Sequence, residues 1–107
     1  MALVTTPEAK TARRIARSLV DQHLAACVNI VPGLESHYWW EGKVAKSREL
    51  LLLIKTSGRK LAQVEAAVLK LHPYDTPEFM VIPFSQGNER YLKWLETSLM
   101  AAREGSD

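Results

Sequence analysis

Cysteine is almost missing from this chain. Cys27 is the only one in 107 residues, which excludes an internal disulfide and any metal site built on a pair of thiolates. Long apolar runs are missing too. Nothing approaches the roughly 18 residues of a membrane span, and Met1-Ala2-Leu3-Val4 is too brief for the apolar part of a signal peptide. An excess of either charge sign is also absent: a net charge of +2, spread along the chain, gives no footprint for nucleic acid or an anionic membrane. The cytoplasm is therefore the expected compartment.

Signs of catalysis are equally thin. The sequence has no Gly-rich phosphate loop, no nucleophile elbow and no carboxylate pair with an evident role. "VTTPEAK" has no glycine to let the backbone wrap a phosphate. The aromatic run Tyr38-Trp39-Trp40 lacks the interleaved basic residues of an RNA-stacking platform. The expectation is a protein that is not an enzyme.

What is present reads as one globular domain, 47% hydrophobic and 24% charged, over residues 1–102, with a frayed tail at 103–107. Leu3-Val4-Thr5 ends a first strand. Thr6 is the expected N-cap of a helix, with Pro7 at its first position and Glu8 near its positive dipole end. Ala12, Ile15, Ala16, Leu19, Val20 and His23 follow at helical spacing.

Ala26 to Val31 reads as a strand bulged at Pro32-Gly33 and resumed through Ser36 to Trp40. Glu41-Gly42-Lys43 is the turn of a long hairpin whose return strand is Glu49 to Thr56. A second helix opens at Ser57-Gly58, buries Leu61, Val64, Val68 and Leu71, and stops at His72-Pro73. Glu78 to Phe84 gives a fourth strand. Asn88 caps a third helix with Tyr91, Leu92, Leu95 and Leu99 inward. The order is β-α-β-β-α-β plus a helix, an α+β fold of the ferredoxin-like, split βαβ kind.

Helices cover one face of such a sheet, so its strands should alternate apolar and polar. Leu50 to Ile54 and Phe79 to Phe84 do not alternate. Two independent runs of this kind point to burial of the second face against other copies of the chain.

Four segments, "TTPEAKTARRIARSLVDQHLAACVNIVPGLESHYWWEGKV", "LLLLIKT", "LHPYDTPEF" and "GNERYLKWL", resemble the CutA family of divalent-cation tolerance proteins. The resemblance runs from about Val4 to Trp94. It implies a ferredoxin-like subunit in a compact homotrimer, with sheets facing inward and each long hairpin reaching a neighbour. It also implies a role in tolerance of copper and other divalent cations, with copper or another such cation weakly held. The likeness of the family's trimer to the PII signalling proteins offers an alternative: a sensor of a small anion or metabolite, with its site in a cleft between subunits. Family members have further apolar residues before the end of the first strand, so this chain is expected to start late or to be trimmed.

Two positions depart from the copper-binding members, which carry a cysteine near the end of the first strand and two adjacent histidines before Pro-Tyr. Val4 and Leu71 stand there instead, leaving His72 alone. As a metal ligand His72 needs partners, and Asp75 and Glu78 are the nearest oxygens. Its other readings are closure of the second helix and contact with a small ligand. Trp40, Glu41, Lys55, His72 and Tyr74 are the residues expected to converge in the intersubunit cleft. His23 is read as structural, His37 as an interface residue and Cys27 as a buried, inert thiol.

Overall fold

The computed structural model describes residues 1–100, so the expected fraying of residues 103–107 lies outside them. The elements are β1 (Ala2–Thr6), α1 (Ala9–Asp21), β2 (Cys27–Trp40), β3 (Lys43–Lys55), α2 (Leu61–Leu71), β4 (Met80–Val81) and α3 (Glu89–Ser98). The strands form one four-stranded antiparallel sheet in the order β2-β3-β1-β4.

Register divides the sheet into two faces. Ala2 and Val4 pair with Ile54 and Leu52. These four residues are fully buried together with Ala12, Ile15 and Leu19 of α1 and Val64 and Val68 of α2. Each fully buried Val, Leu or Ile side chain contributes about 1.5–3 kcal/mol. The alternate residues Leu3, Leu53, Leu51 and Val31 share the opposite face, where they are partly buried or exposed. Helix α3 belongs to the helical side: the Ser98 carbonyl is 3.0 Å from Nδ1 of His23, and Glu96 bonds Arg59.

The hairpin β2–β3 pairs from Cys27↔Lys55 out to Trp40↔Lys43, and the molecule is 53 Å long but only 27 Å and 21 Å across. The register shifts between Val31 and Leu34, so Pro32-Gly33 is the expected bulge inside a continuous strand. Glu41 and Gly42 alone make the turn, both at positive φ (50° and 77°), which gives the twist that a tight hairpin needs. The return strand therefore begins at Lys43, six residues before the expected start at Glu49.

Three other expectations are corrected. The cap of α1 is Glu8 in extended conformation, not Thr6, because Thr6 stays in the sheet, paired with Leu50 and fully buried. The fourth strand is two residues, not seven. Met80 and Val81 oppose Leu3 and Ala2, Met1 and Ile82 exchange one further pair of bonds, and Pro83 has no N–H to continue the ladder. In α3, Asn88 caps the Tyr91 N–H and Leu95 and Leu99 are buried as expected. Tyr91, however, lies exposed, its ring 5.5 Å from that of Trp94 one turn on.

Candidate functional site

Helix α2 ends where the sequence requires. His72 precedes Pro73, takes extended dihedrals (φ −78°, ψ 138°), and its N–H closes the last turn on Val68. That conformation turns the imidazole inward to 7% exposure. Nε2 lies 2.7 Å from the Thr5 carbonyl, which can only accept, while Nδ1 lies 3.1 Å from the Tyr74 N–H, which can only donate. The ring is therefore the Nε2–H tautomer with both nitrogens engaged. It also packs on the Tyr74 ring, with centroids 4.9 Å apart. The metal-ligand expectation for His72 meets no free lone pair in this arrangement; closure of the helix is what its contacts describe.

By fixing Tyr74, His72 sets the loop that forms one wall of a cleft of about 620 Å³. Pro73, Tyr74, Asp75, Thr76 and Glu78 supply that wall. Tyr38, Trp39 and Trp40 of β2, Glu49 of β3 and Thr5 of β1 supply the rest. Register puts Thr5 and Glu49 on the same sheet face as Leu51 and Leu53, so the cleft opens on the face away from the helices. Glu49 is only 8% exposed, and among the described residues it has no salt-bridge partner. The Tyr74 phenol is held above its ordinary value of 10.0, first by desolvation and then by the negative charge of Glu49.

Of the residues expected to converge, Trp40 and Tyr74 line this cleft and His72 supports it from behind; Glu78, expected only as a metal oxygen beside His72, lines it as well. Glu41 and Lys55 are not among its lining residues. Glu41 is spent on the hairpin turn. Lys55 sits six residues beyond Glu49, roughly 20 Å along a strand, and its ammonium bonds Asn29. Glu49 was not anticipated. The signal for it was a lone carboxylate at the head of the Leu50–Ile54 run, in phase with Leu51 and Leu53.

The other singled-out side chains lie elsewhere. His23 has positive φ (58°) just after α1 and meets the Ser98 carbonyl. His37 pairs with Glu35 at 2.8 Å on the exposed hairpin. Cys27 is half-buried rather than buried, because it begins a strand at the sheet edge. Among the described residues, no three His, Cys, Asp or Glu side chains come close enough together to hold a metal ion, and no helix is long and apolar enough to cross a membrane.

A sequence model described as "CutA1 divalent ion tolerance protein" matches residues 1–98. The chain is 50% identical over 93 residues to the divalent-cation tolerance protein CutA of Thermus thermophilus, covering 87% of this chain and 90% of that one. It is 48% identical over 95 residues to a chloroplastic CutA 1 of Oryza sativa, covering 89% of this chain but 54% of the longer plant protein. The fold superposes on the CutA structure of Xylella fastidiosa with a TM-score of 0.90 at 37% identity, covering 92% of this chain and 95% of that one. The chain belongs to the CutA1 family of divalent ion tolerance proteins.

Proposed function

We propose that the chain is a ferredoxin-like subunit of a homotrimer that binds divalent cations, copper among them, and acts in tolerance of those ions by binding rather than by catalysis. The sheet order β2-β3-β1-β4 with β1 and β2 both antiparallel to β3 supports the split βαβ reading. The observation that carries the assembly is the sheet face bearing Leu3, Val31, Leu51 and Leu53, which the helices leave uncovered.

Among the described residues no imidazole is hydrogen-bonded to a hydroxyl or thiol, which supports a non-catalytic reading. Relatives are named chloroplastic and periplasmic as well as simply CutA, so a cytoplasmic home for this chain is part of the proposal.

Because the described residues of one chain gather no three metal donors, cation retention draws ligands from more than one copy. Copper titration by calorimetry is expected to show saturable uptake by the assembled protein, lost on dilution to separated subunits. Equal uptake by the isolated chain, or none by the assembly, overturns the reading.

A further inference from the structure

We infer that the groove between α1 and the end of α2 binds a small, multiply charged phosphate anion. This goes beyond the divalent-cation reading and uses none of its residues.

The sequence spreads its net charge of +2, but the fold gathers part of it. Lys10, Arg13, Arg14 and Arg17 recur at three- and four-residue intervals, so they share one exposed face of α1. Asp21 is the only acidic residue in that helix, and it holds Arg17, with both oxygens 3.0 Å from Nε. Glu8 at the cap accepts from the Thr11 hydroxyl instead. Among the described residues Arg13 and Arg14 have no carboxylate partner.

Such a face works against its own helix. Like charges three and four positions apart repel, and Lys10 stands in the first turn, where the dipole favours an anion. An anion supplied from outside relieves both.

Shape narrows the ligand. Arg13, Arg14 and Arg17 line a groove of about 630 Å³ to which Leu71 contributes from α2, a volume in the range of small-molecule sites. Ser18 and Gln22 line it too. Gln22 donates to Ser18 Oγ at 2.7 Å, so the hydroxyl keeps its own hydrogen to donate. Guanidinium forks pair with phosphate oxygens, and three forks around one groove suit a tetrahedral group with several oxygens and more than one charge. The groove also lies away from the proposed contact between copies, because α1 and α2 cover the sheet face opposite Leu3, Leu51 and Leu53.

The test is calorimetric titration of the assembled protein with inorganic triphosphate in metal-free buffer, which makes its outcome independent of copper retention. Saturable binding is expected, with citrate, a polyanion built of planar carboxylates, weaker by about threefold or more. Arg13→Gln and Arg14→Gln, both at exposed positions, should each weaken triphosphate about threefold, and the double variant about tenfold, as for charge pairs open to solvent. Asp21→Asn should strengthen it about threefold, because it removes the competing carboxylate and frees Arg17. Lys93→Gln, exposed on α3, removes the same charge elsewhere and should leave the affinity unchanged.

No saturable binding of triphosphate, equal binding of citrate, or unchanged affinity in the double variant overturns the proposal. So does a loss in Lys93→Gln as large as that in Arg13→Gln, because the attraction would then belong to the whole surface rather than to the groove.

Discussion

Nε2–H of His72 donates to the Thr5 carbonyl at 2.7 Å, tying the end of α2 to the end of β1 across 67 positions of sequence. The same ring accepts the Tyr74 N–H, so one side chain satisfies two backbone groups of the cleft. His72→Ala leaves the buried Thr5 carbonyl and the partly buried Tyr74 N–H unpaired, at a cost of about 1–3 kcal/mol for the first and less for the second, which water can reach. A total loss of about 2–4 kcal/mol is expected in urea unfolding, with the slope unchanged. His72→Gln should recover part of it, since its amide supplies a donor for Thr5. A loss below about 0.5 kcal/mol, the size of an ordinary surface substitution, would show that the ring does not join these elements.

The hairpin turn is a second point of leverage. Glu41 holds a left-handed conformation (φ 50°) that costs a side-chain residue about 1–2 kcal/mol, whereas Gly42 (φ 77°) is free of that strain. Glu41→Asn should therefore raise stability by about 0.5 kcal/mol or more, and Gly42→Ala should lower it by about 1 kcal/mol. Thermal unfolding of the two variants beside the parent distinguishes these signs. Neither substitution touches the arginine groove, so anion binding there should not change.

Much of the fold was legible because it rests on local chemistry. Thr6-Pro7 marked the entrance of α1 within two residues, His72-Pro73 marked the end of α2, and Pro32-Gly33 marked the bulge. The errors arose where pairing overrode local preference. Thr6 is a good cap by type, but its sheet position opposite Leu50 took precedence. The apolar run to Phe84 has strand character, yet only Ala2, Leu3 and Met1 pair with it. The cleft was half legible. Trp40 and Tyr74 follow from aromatics and a loop near His72, whereas Lys55 was misplaced because distance along a strand hides in sequence. Glu49 was missed because burial of a charge depends on a loop that begins only at Pro73, far along the chain.

Tyr74 supplies a pH-dependent test. Desolvation, and then the charge of Glu49, raise its phenol above 10.0 in the folded state. A group raised on folding holds its proton more tightly in the native protein, so its contribution is complete below pH 10.0 and is lost as pH rises through the folded value. Ultraviolet titration should show one tyrosine ionising above that value, and Tyr74→Phe should remove it. Glu49→Gln should shift the same transition downward, because it deletes the carboxylate charge. If the transition stays put in that variant, the two side chains do not interact as described.

The uncovered sheet face gives the most direct test of assembly. Leu53 sits on it between Leu3 of β1 and Asn29 of β2, while its neighbours Leu52 and Ile54 point into the helical core. Leu53→Lys therefore places a charge on the contact face without touching the core. If copies pack there, an ammonium without a partner must be desolvated, a penalty of several kcal/mol repeated in each subunit. Sedimentation at micromolar concentration should show the parent as a trimer and the variant as a monomer. Far-UV circular dichroism should be the same for both, and thermal unfolding should remain cooperative. Ala66→Lys, exposed on α2 on the helical side of the molecule, serves as the comparison and should sediment like the parent. A Leu53→Lys protein that sediments with the parent would mean that this face is not where copies meet, and the contact would then have to lie along the exposed β4 edge at Met80 to Phe84.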